Sequence, residues 1–518
     1  MNRRLLIVGW DGADWEIVDD LLERGALPNV AALIAAGGRG ILRSTTPSHS
    51  WSAWPSFLTG LHPSGHGIFD FAARDPRDPQ RRVPITASWI RATTFLEHLS
   101  KAGRSVRAAN IPVTYPPIPV AGRLISGPVV PPGGRYVYPP EWQTELDRRA
   151  PFPVNGLEWQ RHASDPQGLV DEAARMVEQR SRSFRLLLEG DWDVAVCVYI
   201  APDRLQHPLG RYVLPSHPEF PTLEHTPLAA SLRDVFVRLD RELGRLVEAA
   251  GPEATVVLLS DHGFRPVTRA VDMAQLLTHL GYATPAAGAS VDRAIGRSSV
   301  KRAIGRTRVG HALRRWVPRP RALRWDRTIA YAAPSGGGIN LNRRGREPHG
   351  IVAAESFERV RDEIREALLS FRDPETGAAA VSHVHLREDL PRGPHLDRAP
   401  DMLAIASPLY SFEHTRSIGV ATEWPSGTHR ANGIIVAAGT GVDGDLATRS
   451  ITDLAPTALT FAGIEPPASD GSVIDAIAGA RVLSPLPAGS TAVTHEDRNS
   501  REDDEFMEQH LRDLGYLE

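Results

Sequence analysis

The sequence predicts an α/β sandwich built on a mostly parallel sheet. Three observations carry that expectation: short apolar, β-branched runs recur along the chain, helical patterns lie between them, and Asp or His follows several of the runs directly. LLIVGW (5–10) reads as a buried strand and is followed by a helix around WEIVDDLLERG. SVRAANIP (105–112), VAVCVYI (194–200) and TVVLLS (255–260) are further strands, joined by MLAIAS (402–407) and GIIVAAG (433–439). Helical stretches such as 231–251 and 354–371 alternate with them. In sheets of this kind, ligands gather just beyond the carboxyl ends of the strands.

Composition leaves the partner class open but narrows it. The chain has 518 residues, 42% hydrophobic and 23% charged, which suits one large domain or two to three smaller ones. A net charge of -3 gives no reason to expect nucleic acid as a partner. Lys101 and Lys301 are the only lysines, so arginine carries the positive charge. Cys197, the single cysteine, sits in an apolar run; it excludes an intrachain disulfide and suits a small buried hydrophobe. The N-terminal apolar stretch ends at Asp11, too early for a signal peptide, and no window approaches a membrane span. A cytoplasmic location is expected; the oligomeric state is not legible.

Two regions interrupt the alternation. Residues 111–165 are rich in proline and glycine and are expected to cap a sheet edge, and 280–330 forms a second insert. Within the latter, 293–327 holds twelve Arg or Lys and one acid, Asp326. It suits either a solvated pair of short helices or a basic lid that draws an anionic substrate or, peripherally, membrane headgroups. One catalytic domain is expected over 1–485, with an acidic tail and an amphipathic helix over 486–518.

The chemistry-bearing residues cluster at strand ends. Asp11 follows LLIVGW, Asp203 lies just past VAVCVYI, and Asp261 and His262 follow TVVLLS. A lone Asp there is an ordinary helix cap, but three together with histidines attached are not explained as caps. Asp203 and His207, in DRLQH, share one face if that segment is helical. His429 stands in PSGTHRANG, expected as a loop leading into GIIVAAG. Asp and His together suit zinc or manganese, and six such ligands with one hydroxyl can hold two ions. TTPSHSWSAWPSFLTG (45–60) supplies the hydroxyls: Thr45, Thr46, Ser48, Ser50 and Ser52 all remain open on hydroxyl chemistry alone.

With these motifs in place, the chain resembles the alkaline phosphatase superfamily, in its type I phosphodiesterase and nucleotide pyrophosphatase branch. Asp11-Gly12 after the first strand, TGLHPSGHGIFDF, DRLQH, SDHG and the late G-T-H stand in the expected order. NIPVTYPP, NLNRRGREPHGIV, TDLAPTAL and LRDLGYLE are similar to a prokaryotic subgroup of phosphohydrolases or phosphomutases. The resemblance implies a three-layer sandwich with cap insertions and a phosphate ester as substrate. It implies a nucleophile nine residues before the Thr of TG, which is Ser50. It further implies one metal on Asp11, Asp261, His262 and Ser50, and another on Asp203, His207 and His429.

Departures from the pattern are also informative. The branch carries an Asn three residues after the nucleophile, where this chain has Ala53, and Arg204 is the candidate substitute. Sulfatase chemistry is disfavoured because Ser52 and Trp54 stand where Pro and Arg are needed. The expected activity is hydrolysis of phosphate esters through a phosphoserine. The alternative is a phosphomutase or a transferase of phosphate headgroups using the same metals.

Overall fold

The computed structural model describes residues 4–74, 82–286, 323–413, 418–486 and 501–514. The basic segment therefore falls, as far as residue 322, outside the described residues, as does the tail from 487 to 500. Two compact units emerge: Met1–Thr268 with Glu388–Ala399 and Ala421–Glu518, and Arg269–Arg387 with Pro400–Val420.

The first unit is built on a nine-stranded sheet. Its spatial order is Gly444–Ser450, Gly37–Arg43, Asn432–Ala438, Thr255–Leu259, Leu5–Trp10, Val194–Tyr199, Val106–Ile111, Gly122–Ser126 and Val137–Tyr138. The five strands from Thr255–Leu259 to Gly122–Ser126 run parallel. Asn432–Ala438 runs antiparallel to both its neighbours.

Side-chain alternation explains why the central strands read as unbroken apolar runs. Leu6, Val8, Ala195, Cys197, Val256 and Leu258 enter one hydrophobic cluster. Leu5, Ile7, Val194, Val196, Val257 and Leu259 enter another. A strand buried on both faces has no polar side to show. Helices Trp15–Glu23, Pro166–Leu187 and Pro227–Ala250 contribute to the first cluster; Ser50–Thr59, Phe95–Lys101 and Leu454–Phe461 contribute to the second. The result is the expected three-layer α/β sandwich. Among the described residues, no helix is long and apolar enough to cross a membrane.

Residues 111–165 supply two strands of this sheet and the helix Trp142–Arg149. The chain from Arg501 to Asp513 forms a helix whose Met507 and Leu511, followed by Leu514, enter the second cluster. In the second unit, MLAIAS forms the strand Met402–Ala406 of a separate antiparallel sheet, ordered Ala330–Ala332, Gly338–Leu341, Met402–Ala406, Val381–Leu386. Its core includes Ile364 and Leu368 of the helix Phe357–Ser370.

One helix start is stabilised from afar. Pro28–Ala36 has Leu27 at its N-cap, which offers no side-chain acceptor. The buried Asp240 carboxylate, on Pro227–Ala250, instead accepts from the backbone N–H of Asn29 (3.1 Å) and Val30 (2.8 Å) and from Asn29 Nδ2 (2.8 Å). Removing it would leave buried donors unpaired. Asp240→Ala is expected to lower the free energy of unfolding by about 1–3 kcal/mol with the denaturant slope unchanged, measured by urea titration.

Candidate active site

The three central parallel strands end side by side, and candidate ligands lie just beyond each end. Asp11 follows Trp10 and its N–H still bonds to Tyr199 O at 2.9 Å, extending the ladder by one rung. Asp261 and His262 follow the strand Thr255–Leu259. Past Val194–Tyr199 the chain enters the helix Ala201–Leu209, which carries Asp203 and His207 one turn apart on one face, as the spacing predicts. His429 differs from expectation. It lies in a short strand, Gly427–Arg430, that pairs with Gly263–Pro266 and sets His429 opposite Phe264. A four-residue edge strand with Gly and Pro around it carries too little apolar alternation to be read from sequence.

All seven predicted site residues meet in the first unit. Ser50 is the first residue of the helix Ser50–Thr59. Its Oγ donates to Asp11 Oδ1 at 3.1 Å and lies 3.2 Å from His262 Nε2. His262 Nε2 is 3.3 Å from Asp261 Oδ2, 3.7 Å from Asp11 Oδ1 and 3.9 Å from Asp203 Oδ1. On the other side, His429 Nε2 lies 3.1 Å from Asp203 Oδ1 and 2.9 Å from His207 Nε2, which is itself 3.4 Å from Asp203 Oδ1. Two clusters of metal-compatible donor atoms result, Asp203–His207–His429 and Asp11–Asp203–His262, and Asp203 belongs to both.

This donor set fits divalent metal ions. Three carboxylates are buried together, and Asp261 Oδ2 has no hydrogen-bond partner among the described residues. Burial and the facing Asp261 and Asp203 push the Asp11 carboxyl well above its usual range. Burial and Asp203 push Asp261 up to about 7. Burial pulls Asp203 in the same direction, yet His207, His429 and Arg204 hold it well below the usual range. Burial lowers His262 and His429, keeping them neutral and able to ligate. A charge arrangement this costly is resolved when cations are bound.

A second layer of residues aims the ligands. Trp54, one turn after Ser50, donates from Nε1 to Asp11 Oδ2 at 2.9 Å, tying the Ser50 helix to Asp11. Gly12 has φ +70°, and its N–H donates to Asp261 Oδ1 at 3.2 Å. A Cβ there would stand 2.7 Å from the Phe264 ring and 3.2 Å from Asp203 Cα, so only glycine fits. Asp14 caps the helix Trp15–Glu23 and accepts from Phe264 N (3.0 Å) and Arg430 Nε (2.6 Å), fixing the strand that bears His429. His49 caps Ser50–Thr59: its Nδ1 accepts from Ser52 N at 3.3 Å. The sequence does not single out Asp14 or Arg430, and it does not assign Trp54 or His49 these supporting roles. For Asp14 a signal exists, because Asp before an amphipathic run is a cap; the others need the fold.

Ser52 is buried and occupied by Pro47 O (2.7 Å), His49 O (3.0 Å) and Thr45 Oγ1 (2.9 Å), so the structure places Ser50 rather than Ser52 against the ligands. Ala53 is fully buried and offers no donor. Arg204 is buried with Nε 3.8 Å from Asp203 Oδ2.

A buried Asp and His cluster beyond the carboxyl ends of a parallel sheet suits metal-assisted hydrolytic chemistry. The profile described as "Type I phosphodiesterase / nucleotide pyrophosphatase" matches residues 5–432, and the chain belongs to that family. Among solved structures it is similar to an inactive variant of murine ectonucleotide pyrophosphatase/phosphodiesterase 5 in complex with AMP. That match has 14% identity and TM-score 0.51, covering 91% of this chain and 97% of that one. The human form of that protein aligns at 15% identity and TM-score 0.50, over 91% and 97% of the two chains. Phosphonoacetate hydrolase from Sinorhizobium meliloti, in complex with phosphonoformate, aligns at 16% and 0.50, over 89% and 96%. A comparison with curated proteins finds no match.

The raised carboxyls make a pH-dependent prediction. A carboxyl whose folded value lies above its unfolded one keeps a proton the unfolded chain has lost, so it costs stability as pH rises through that window. For Asp261 the window runs from about 4, its unfolded value, to about 7. In chelator, Asp261→Asn is expected to exceed the parent chain in stability by a margin that grows across this window and levels off above it, on the order of 1–4 kcal/mol. Chemical denaturation at about pH 5 and about pH 8 reads the margin; an equal margin at both would refute it.

Proposed function

We propose that this protein is a two-metal phosphodiesterase that works through a phosphoserine at Ser50. One observation carries the reading: Ser50 Oγ lies within hydrogen-bond reach of both Asp11 and His262, while a second ligand cluster adjoins it through Asp203. Asp11, Asp261 and His262 would hold one ion beside Ser50, and Asp203, His207 and His429 the other; zinc suits the donors best and manganese next. When bound, the two ions supply charge neutralisation and favour the deprotonated form of a serine or water oxygen.

The rest follows from the chain's own groups. Asp11 accepts the hydrogen bond that Ser50 Oγ donates, and His262 Nε2, 3.2 Å from the same oxygen, helps to orient it. Ser50 begins a ten-residue helix, whose N-terminal pole favours the anionic phosphoryl group arriving there. Ser50 Oγ attacks phosphorus; the P–O bond to the leaving alcohol breaks in line, and the alcohol leaves on the side of His207 and His429. Water then attacks the phosphoserine, restoring the hydroxyl and releasing the phosphomonoester. Three carboxylates against two dications leave net positive charge for the substrate, to which the Arg204 guanidinium adds. With Ala53 in place of an amide donor, Arg204 is the group proposed to steady the phosphoryl oxygens. A small phosphate diester is the proposed substrate class.

The test sets bis(p-nitrophenyl) phosphate beside p-nitrophenyl phosphate, using zinc- or manganese-loaded protein. The diester is expected to be preferred, and Ser50→Ala to lower kcat by about a thousandfold or more while bound metal stays near the parent's. An active Ser50→Ala chain would move the nucleophile elsewhere. Preference for the monoester would shift the activity to a phosphatase or phosphomutase.

A further inference from the structure

The His207 imidazole is held between two aromatic rings. Phe264 meets it edge-on at 5.0 Å between centroids, and Trp159 stacks on it at 6.1 Å with planes 13° apart. Trp159 is buried, and its Nε1 finds no hydrogen-bond acceptor among the described residues; the same holds for Trp424, 5.8 Å away. A buried indole with an unpaired N–H does not fix its own orientation by hydrogen bonding and costs free energy where it lies. What fixes it must come from its neighbours in the chain.

Those neighbours are anchored to the C-terminal helix Arg501–Asp513. Trp159 belongs to a single 3-10 turn, Trp159–His162, preceded by Glu158. His510 Nδ1, on a buried ring, lies 3.2 Å from Glu158 Oε1. Arg161 donates from Nε to Asp513 Oδ2 at 3.1 Å and also from Nη2. The two pairs clamp the turn on both sides of the indole, from a segment 352 residues further along the chain. Glu172 closes the remaining side, accepting from Leu157 N (2.9 Å) and lying 2.9 Å from His162 Nε2.

We propose that the C-terminal helix is a working part of the active site: through Glu158 and Arg161 it seats Trp159 on His207 and thereby sets the direction of a ligand. Trp159 is a positioning residue, acting through His207. The inference rests on the metal role proposed for His207, but its structural half can be tested without metal.

Five chains decide it: the parent, Trp159→Ala, Trp159→Phe, a double variant, Glu158→Gln with Asp513→Asn, that removes charge and keeps shape, and His207→Gln for assignment. In the metal-free proteins, the ring protons of His207 are followed by NMR and assigned by their loss in His207→Gln. The stacked ring is expected to shift in Trp159→Ala, to shift the same way in the double variant, and to stay near the parent position in Trp159→Phe. In the zinc-loaded proteins, Trp159→Ala and the double variant should hold the ion that His207 would ligate about tenfold less tightly. They should lose about tenfold in kcat on the diester, with KM within about twofold. A double variant that unfolds at lower temperature yet leaves the His207 resonance and the zinc affinity unchanged overturns the proposal and reduces the helix to a brace. If the parent itself takes up no zinc, the proposed function fails, whereas the His207 resonance still decides whether the helix controls this ring.

Discussion

Three carboxylates placed in one buried corner are the constraint around which the first unit is arranged. Asp11, Asp203 and Asp261 stand at the ends of adjacent parallel strands or just beyond, where the fold excludes water and the charges repel. No protein would hold them there for stability, since burying unpaired charge is among the costliest things a fold can do. Much of the surrounding architecture keeps them apart and aimed. Gly12 N steadies Asp261, Trp54 steadies Asp11, and Asp203 is drawn toward two imidazoles. The stability needed to sustain this comes from the two apolar layers that cover both faces of the sheet.

The site also shows how a hydroxyl is chosen among many. Residues 45–60 offer seven hydroxyls, and the helix they start selects one. Ser52 turns back to its own cap, Ser56 pairs with His66 Nε2 at 2.9 Å, and Thr59 bonds Pro55 O at 2.7 Å. Among the hydroxyls of this helix, Ser50 alone bonds a carboxylate of the cluster. Thr45, Ser52 and Thr59 bond nearby backbone carbonyls and Ser56 a buried imidazole, which accounts for these hydroxyls without chemistry.

Legibility followed physical locality. LLIVGW, VAVCVYI and TVVLLS are plain because a doubly buried strand must be apolar throughout, and the Asp and His residues after them stand out because sheet ends concentrate sites. The DRLQH pair needed only helical spacing. By contrast Gly37–Arg43, GGRGILR, has a glycine-rich start and no apolar alternation; its place in the sheet rests on close backbone approach, for a Cβ at Gly38 would meet Gly444 O at 1.8 Å. MLAIAS looked like its fellow strands yet belongs to another sheet, because a strand's composition does not encode its partner. The Asp14–Arg430 pair and the clamp on Trp159 join residues hundreds of positions apart, and no local pattern announces such contacts.

Asp203 belongs to both clusters of metal-compatible donors, whereas Asp11, His262, His207 and His429 each belong to one. For inheritance this makes it a single point of failure. Changes at His207 or Asp11 would erode one half of the site and leave intermediates on which selection can act. A change at Asp203 removes the one carboxylate that both donor clusters share. It would also lift the mutual repulsion that burdens the fold. A duplicated copy of this gene released from selection would therefore find its shortest path to a sturdy, inert descendant through that one codon.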